Sequence, residues 1–265
     1  MDYSLKFIHL SDLHLLPARQ KLHGIDTTAR LEAAIECICS NFADAEFCMV
    51  TGDLAEAGDV ASYQTARRIL DRLPHPWHGL MGNHDGRTSN AQIVLPDLPW
   101  QANGSLQYAL ETQAGVFIVL DSSVGGVDSG KLDTQRLDFL SQQLGLSKVA
   151  GKDVFLFMHH VPFDIGISWL DAMKLENNAD LWQVLNGFEN IRHMFFGHIH
   201  RTTHGSWHGI PFSTVRATAH QVLLNLENTA SKFVDEDPSF AVVMVAKDQV
   251  VIHDHAFPIA DQKEP

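Results

Sequence analysis

The stretch Phe195-Phe196-Gly197-His198-Ile199-His200 places two histidines two residues apart, directly after an apolar run and a glycine. A strand that ends at this glycine can direct both imidazoles into one pocket, and imidazole is the commonest metal ligand among side chains. An isolated His-x-His pair is more often an ordinary surface or core feature. The metal hypothesis therefore depends on whether the rest of the chain supplies further ligands in the same setting.

Four other apolar segments lead into polar side chains in the same manner. Each is a short run typical of a buried strand, and each is followed within four residues by a carboxylate, an amide or an imidazole. Turn-forming Asp and Asn residues and an exposed histidine are the structural alternative. The segments and the residues that follow them are Lys6–Leu10 with Asp12 and His14, Glu46–Val50 with Asp53, Trp77–Leu80 with Asn83, and Lys152–Met158 with His159. Asp12 and His14 would share one face if the extended geometry continued past Leu10.

Helical spacing separates most of these strands, so the chain alternates between strand and helix. This alternation predicts an α/β fold with a largely parallel sheet, at whose carboxyl edge ligands bind. No internal repeat or linker is found, and the simplest expectation is one domain over residues 1–265 with the sheet extended in its second half. The expected helices are Thr27–Phe42, Val60–Arg72, Leu132–Leu144 and Ala179–Phe188, and the expected hairpins are Ser105–Leu110 with Val116–Leu120 and Ala241–Val245 with Val250–His255.

Two segments, residues 163–180 and 222–240, fall outside this alternation. The first contains Trp169, Leu170 and Met173, which are candidates for a lid or for a contact in a homo-oligomer, a dimer or larger. Packing in the core is the simpler alternative for these three side chains. We treat both segments as lid or dimerisation segments to be tested.

Charge and cysteine content narrow the function classes. The chain of 265 residues has a formal net charge of −13, which opposes the phosphate contacts that nucleic-acid binding requires. No apolar run is long enough to cross a membrane, and no signal-peptide pattern is found. The three cysteines are typical of small apolar residues in a reducing compartment. We therefore expect a cytoplasmic protein with neither a nucleic-acid polymer nor a membrane as partner. Its 16 histidines indicate metal chemistry, with a surface excess of histidine as the alternative.

The residues at the strand ends together form a ligand set of nitrogen and oxygen donors without a thiolate. Such a set favours divalent manganese, iron, zinc or cobalt. Seven ligands are too many for one tetrahedral ion but suit two ions of higher coordination number if one carboxylate bridges them. Two ions about 3.5–4 Å apart suit the hydrolysis of phosphate esters, because one holds a hydroxide and both neutralise the phosphoryl oxygens. The set consists of Asp12, His14, Asp53, Asn83, His159, His198 and His200.

Five motifs in this order resemble the calcineurin-like metallophosphoesterases. They are Asp12-Leu13-His14, Gly52-Asp53, Gly82-Asn83-His84-Asp85, the first histidine of His159-His160, and Gly197-His198-Ile199-His200. Met158-His159-His160-Val161-Pro162 and Thr218-Ala219-His220-Gln221 are similar to motifs of the class III cyclic-nucleotide phosphodiesterases and the related bacterial glycerophosphodiesterases. The resemblance covers nearly the whole chain and implies a four-layer αββα sandwich.

The resemblance also implies a role for each residue. Asp12, His14 and His200 would bind one ion, Asn83, His159 and His198 the other, and Asp53 would bridge them. His84 would bind a phosphate oxygen or help to protonate the leaving alkoxide, with a bond to Asp85 that only shapes the loop as the alternative. His220 would reach the rim of the pocket, or else be a core histidine, and His160 would have a supporting or structural role.

The function implied is a dinuclear-metal phosphodiesterase that uses a metal-bound hydroxide on small diesters, either 3′,5′-cyclic nucleotides or glycerophosphodiesters. The candidates for the two native metal ions are Mn²⁺, Fe²⁺ or Fe³⁺, Zn²⁺ and Co²⁺. The alternatives are a nucleotide pyrophosphatase or phosphomonoesterase with the same site, and a catalytically silent metal-binding interaction module. A nuclease is disfavoured by the acidic surface.

Overall fold

The structure is a computed structural model that describes residues 3–18, 20–87, 89–227 and 230–259. The expected domain 1–265 and segment 222–240 therefore contain some residues outside the described ones. In chain order the elements are β1 (Leu5–Leu10), α1 (Thr27–Asn41), β2 (Cys48–Thr51), α2 (Val60–Leu70), β3 (Trp77–Leu80), a 3₁₀ turn (Asp85–Arg87), α3 (Asn90–Val94), β4 (Tyr108–Thr112), β5 (Gly115–Val119), α4 (Thr134–Val149), β6 (Val154–Met158), α5 (Ser168–Asp171), α6 (Asn178–Leu185), β7 (Ile191–Phe196), β8 (His204–Trp207), β9 (Ile210–Thr214), β10 (Gln221–Val222), β11 (Phe233–Val234), β12 (Ser239–Val245) and β13 (Val250–Ala256).

Two large β-sheets hold the strands that precede the candidate ligands. The first has the order β13-β12-β1-β2-β3, in which β1, β2 and β3 are parallel and the C-terminal hairpin β12–β13 is added in antiparallel pairing. The second has the order β4-β5-β6-β7-β9-β8, with β5, β6, β7 and β9 parallel. The parallel strands of each sheet therefore release their following loops at one edge.

A layer of aromatic rings joins the two sheets. Phe7 of β1 contacts Phe117, Phe157 and Phe195 of the second sheet, with ring centroids 5.2, 6.0 and 5.6 Å away. All four rings are fully buried. Because strand side chains alternate between faces, the neighbouring residues of β5, β6 and β7 point away from this layer, toward the opposite face of the second sheet. The sequence thus builds one core between the sheets and another behind the second sheet.

Helices cover the outer faces of both sheets. The buried sides of α1 and α2 pack against the first sheet, and leucines of α4 and α6 join the core behind the second sheet. Each of the three long helices begins at an aspartate, Asp26, Asp59 or Asp133, whose side chain accepts a hydrogen bond from the backbone N–H three residues later. The four layers are therefore helix, sheet, sheet and helix, so the predicted αββα class is confirmed.

Two expectations from the strand pattern were wrong. Only the C-terminal hairpin β12–β13 extends the first sheet, because β4 to β9 pair only with one another in a second sheet and the ring layer separates the two sheets. The extended geometry also does not continue past Leu10, since Asp12 and His14 have positive φ angles of 54° and 44°. The hairpin of β8 and β9 was not predicted, because β8 is polar and largely exposed.

Among the described residues, the helices are all too short or too polar to span a bilayer.

The aromatic layer generates a stability prediction. Phe7→Ala should lower the free energy of unfolding by about 3–5 kcal/mol, because it removes the ring that contacts three rings of the opposite sheet. Urea denaturation followed by circular dichroism measures the loss. Ile93→Ala is the control, since that side chain is 69% exposed and its removal should have little effect. Equal losses in the two variants would contradict a core that depends on this layer.

Candidate metal centre

All seven side chains that the sequence nominates as ligands lie together where the carboxyl edges of the two sheets meet. Loops after β1, β2 and β3 carry Asp12, His14, Asp53 and Asn83, while loops after β6 and β7 carry His159, His198 and His200. Each side chain is at least nine-tenths buried. The cluster therefore joins the first sheet to the second through polar rather than apolar contacts.

One group of donors surrounds the side chain of His14. Its Nε2 lies 3.1 Å from His200 Nε2 and 3.4 Å from Asp53 Oδ2. His200 Nε2 is in turn 3.4 Å from Asp12 Oδ1. The carboxylate of Asp12 also accepts hydrogen bonds from the backbone N–H of His198, which fixes the end of β7 against the end of β1.

A second group of donors surrounds the amide oxygen of Asn83. Asn83 Oδ1 lies 3.1 Å from His159 Nε2 and 3.2 Å from His198 Nδ1. His159 Nε2 is also 3.3 Å from Asp53 Oδ2. The same oxygen of Asp53 thus borders both groups, which is the position that a bridging carboxylate requires.

The hydrogen bonds behind the ligands fix the imidazole tautomers. His14 Nδ1 lies 2.7 Å from the Glu56 carboxylate, and His200 Nδ1 lies 2.8 Å from the His220 carbonyl oxygen. Because these oxygens only accept, each Nδ1 carries the proton, and in the neutral rings both Nε2 atoms present lone pairs. Two lone pairs then face each other at 3.1 Å. His159 is arranged alike, since its Nδ1 donates to the Thr51 carbonyl oxygen at 2.7 Å.

Such a convergence of lone pairs calls for positive charge between them. Burial lowers the pKa of His159, but the carboxylates of Asp53 and Asp12 outweigh it and raise this pKa to about 9. Burial raises the pKa of Asp12, but the adjacent His200 imidazole outweighs it and holds this pKa down at about 2. Protons on the imidazoles can offset the carboxylates, and divalent cations supply the same charge at the same place. The donor set therefore fits a dinuclear divalent metal site.

Strained backbone holds the ligands in place. Left-handed φ angles are uncommon outside glycine, yet five of the seven nominated ligands adopt them: Asp12 at 54°, His14 at 44°, Asp53 at 52°, His198 at 71° and His200 at 50°. Such conformations persist only where surrounding contacts enforce them, and they concentrate at functional sites.

Glycines let the strand ends approach closely enough for these contacts. A Cβ atom at Gly197 would lie 2.2 Å from Ser11 Oγ and 2.5 Å from the Thr51 carbonyl oxygen. At Gly52, whose φ is 91°, a Cβ atom would lie 2.6 Å from His159 Nδ1. Neither neighbourhood has room for a side chain, so both glycines are required by close approach of the two sheets.

Two acidic residues that the ligand pattern did not single out support the site. Glu56 accepts from His14 Nδ1, which orients that imidazole. Asp85 is buried and accepts from the backbone N–H groups of Leu54, Ala55 and Gly82, so it ties the loop after β2 to the loop after β3. Only the short spacing of Glu56 from Asp53 hinted at the first role. The role of Asp85 is the one that the alternative of turn-forming Asp and Asn residues predicts for this loop.

His84 and His160 have different surroundings. The His84 ring donates through Nδ1 to the Glu56 carbonyl oxygen at 2.7 Å rather than binding Asp85, and it borders the cavity. Both nitrogens of His160 are engaged, one with Ser122 Oγ at 2.7 Å and the other with the Asp128 carbonyl oxygen at 3.2 Å. His160 lies beside the donors but has no lone pair left for an ion.

A cavity of about 310 Å³ opens above the donors. Its floor is formed by members of both groups and by His84, and parts of its walls come from both of the segments that lie outside the strand–helix alternation. Trp169, Leu170 and Met173 of the first segment and Val222 and Phe233 of the second line the cavity. His220 also borders the cavity; it is 4% exposed, and its Nδ1 makes no hydrogen bond with the described residues.

Comparisons with known proteins find relatives over nearly the whole chain. The sequence model described as calcineurin-like phosphoesterase matches residues 5–202. A relative named "Probable cyclic nucleotide phosphodiesterase" from Rhodopseudomonas palustris is 34% identical over 96% of this chain and 93% of its own. A "Glycerophosphodiester phosphodiesterase" from Enterobacter lignolyticus is 28% identical over 94% and 90%. The solved structure of a dimetal phosphatase from Danio rerio shares the fold, with a TM-score of 0.71, 14% identity and coverage of 96% and 97%.

The contact between Glu56 and His14 generates a prediction about metal affinity. Glu56→Ala should weaken Mn²⁺ binding by about 10–100-fold, because the buried Nδ1–H of His14 loses its acceptor and the ring its orientation. Isothermal titration calorimetry of metal-free protein measures the change. Glu46→Ala is the matched control, since this exposed glutamate lies before the opposite end of β2. Equal Mn²⁺ affinities of the two variants would refute the orienting role.

Proposed function

The chain belongs to the calcineurin-like phosphoesterase family, and we propose that it is a dinuclear-metal phosphodiesterase that hydrolyses small phosphodiesters, either 3′,5′-cyclic nucleotides or glycerophosphodiesters. The observation that carries the proposal is the position of Asp53 Oδ2, 3.4 Å from His14 Nε2 and 3.3 Å from His159 Nε2. One carboxylate oxygen thereby borders two separate donor groups. The names of the two relatives above support the same reaction class.

We assign Asp12, His14 and His200 to one ion, Asn83, His159 and His198 to the other, and Asp53 to both. The grouping of donor atoms around His14 and around Asn83 supports this assignment. The absence of a thiolate from the set favours Mn²⁺, iron, Zn²⁺ or Co²⁺ over softer ions. Two such ions, when bound, lower the pKa of a water molecule and neutralise the charge of the reacting phosphoryl group.

His84 is the residue best placed to assist the leaving group. Its backbone N–H donates to Asp53 Oδ1 at 2.9 Å, which ties the residue to the bridging carboxylate. Its Nδ1 donates to the Glu56 carbonyl oxygen, so Nε2 is the nitrogen left for substrate. As an imidazolium it would donate from Nε2 to a phosphate oxygen or to the departing alkoxide. His220, at the rim of the same cavity, is assigned to contact with substrate.

The charge of the cavity favours diesters over monoesters. Among the described residues that line it there is no lysine or arginine, whereas Asp53, Glu56 and Asp128 are present. A phosphodiester carries one negative charge near neutral pH, and a phosphomonoester carries close to two. Beyond the metal ions, the site therefore offers little to offset the second charge.

We further propose that the segments 163–180 and 222–240 act as a lid rather than as a dimer contact, because residues of both line the cavity. The cytoplasm is the compartment we propose, since Cys37, Cys39 and Cys48 are all free thiols.

The bridging role of Asp53 can be tested by substitution. Protein reconstituted with Mn²⁺ should hydrolyse bis(p-nitrophenyl) phosphate much faster than p-nitrophenyl phosphate. Asp53→Ala should lower this diesterase rate by more than about 100-fold, because loss of a shared ligand exceeds the usual effect of losing an outer partner. Release of p-nitrophenolate, followed by absorbance, measures both rates.

Asp138→Ala is the control for this substitution, since Asp138 is exposed on α4. A faster monoesterase than diesterase would favour the phosphomonoesterase alternative. Metal binding without hydrolysis of any ester would support the alternative of a catalytically silent metal-binding interaction module. An active Asp53→Ala variant would rule out the two-metal assignment.

The leaving-group role of His84 predicts a dependence on the substrate. His84→Ala should lower kcat by about 100-fold for a diester with an alkoxide leaving group, and far less for one that releases p-nitrophenolate, because the latter leaves without a proton. Steady-state kinetics on the two substrate types measure the difference. His204→Ala, an exposed histidine of β8, should change neither rate. Equal losses of kcat on both substrates would exclude proton donation by His84.

A further inference from the structure

Three partly exposed rings form one side of the cavity above the metal centre: His23, Trp169 and Phe233, here called the aromatic wall. Phe233 is 38% exposed. The His23 ring stacks on it with centroids 4.7 Å apart and planes 26° apart. Trp169 meets Phe233 edge to face at 5.8 Å and 86°. A soluble domain rarely leaves adjacent rings open to a cavity unless a ligand covers them.

A tight turn directs His23 into the cavity. Leu22 and Ile25 exchange both backbone hydrogen bonds, at 2.9 and 2.8 Å, so only His23 and Gly24 form the tip. Their φ angles are 50° and 85°, the left-handed conformation that a two-residue hairpin of this type requires. His23 is therefore held in an unfavourable conformation at the edge of the candidate site, a common feature of residues that contact ligands.

The aromatic wall is continuous with the metal centre. The ring of His220 lies 4.5 Å from His200, 4.4 Å from Phe233 and 5.0 Å from His23, measured between centroids. One imidazole thus separates the wall from a nominated ligand. A group that is joined to a phosphate through one sugar ring could reach the wall while the phosphate lies on the donors.

Buried contacts hold Phe233 and His220 in this arrangement. Phe233 of β11 is paired with Val222 of β10, two residues after His220. Arg30 of α1 is fully buried and donates to the Ala219 carbonyl oxygen and to the carboxylate of Asp235. One guanidinium therefore ties the residue before His220 to the residue that directly follows β11, the strand that carries Phe233, which makes the wall a built feature of the fold.

We propose that the aromatic wall is the binding site for the nucleobase of the substrate, and that the enzyme acts on 3′,5′-cyclic nucleotides in preference to glycerophosphodiesters. This inference rests on the proposed diesterase function. Every nucleobase has a flat face that stacks on aromatic side chains, and such stacking contributes about 1–3 kcal/mol per base. Glycerol has no flat face, and its hydroxyl groups would lose water against these rings without gaining hydrogen bonds.

The test compares two substrates on metal-loaded enzyme. Phe233→Ala should raise KM for 3′,5′-cyclic AMP about tenfold, because it removes a stacking partner, while kcat changes less than about twofold because the reacting atoms are untouched. Kinetics with glycerophosphoethanolamine should be unaffected. Phe233→Trp should retain the KM of the unsubstituted enzyme for the cyclic nucleotide. Leu224→Ala is the matched control, since Leu224 is exposed in the same segment and does not line the cavity.

A binding experiment without metal separates this inference from the proposed activity. Saturation-transfer NMR on chelator-treated protein should show contact with the adenine protons of adenosine. This signal should disappear in Phe233→Ala and persist in Leu224→Ala. Glycerol should give no signal with any variant.

Each outcome has a distinct meaning. A metal-loaded enzyme that cleaves neither diester refutes the proposed function, and adenosine binding then still decides whether the wall takes a base. A higher kcat/KM for glycerophosphoethanolamine than for the cyclic nucleotide overturns the inference while leaving the diesterase intact. Equal increases of KM for both substrates in Phe233→Ala also overturn it. So does an adenosine signal in Phe233→Ala that equals the signal of the unsubstituted protein.

Discussion

The repulsion among the lone pairs of buried side chains at the junction of the two sheets is the constraint on which this structure depends. Nitrogen and oxygen atoms of seven buried side chains point toward one another at 3.1–3.4 Å. In a low-dielectric interior such an arrangement is costly unless positive charge offsets it. The two sheets are also joined by the aromatic layer, where Phe7 meets three rings of the opposite sheet. Apolar packing therefore holds the polar edges together, and the donors at these edges fit divalent cations that would offset their charge.

Backbone geometry follows from the same constraint. Parallel strands deliver their loops to one edge, but side chains that merely continued the strands would alternate between faces. Left-handed residues at both nominated ligands after β1, at Asp53 and at both histidines after β7 turn each side chain toward the junction. Asp85 and Glu56 then fix the loops and one imidazole from behind. The strain at Asp53 is offset because backbone N–H groups of its own loop and of the loop after β3 bond to one buried carboxylate.

The floor and the wall of the cavity have separate origins. The floor comes from the loops that follow β1, β2, β3, β6 and β7 at the sheet edges. The aromatic wall comes from a tight turn after β1, a short helix and a two-stranded addition, none of which belongs to the large sheets. Because His23, Trp169 and Phe233 are not among the nominated ligands, and the His220 ring lies between Phe233 and His200, these three residues can set substrate preference without disturbing the ligand positions. Arg30 is the link that holds one part of the wall against α1.

The sequence by itself determined the strand–helix alternation and the nomination of all seven side chains at the junction, because apolar runs that end in Asp, Asn or His are local signals. The αββα class came from the resemblance to a family. It missed Glu56, whose function depends on a contact with His14 across a loop. It also gave one extended sheet where two exist, since pairing partners are chosen by long-range packing of rings such as Phe7 and Phe195. The division of His198 and His200 between two donor groups followed from resemblance to a family. Only the tertiary structure brought Phe233 and His23 together above that junction, because they are far apart in the chain and no local period marks them.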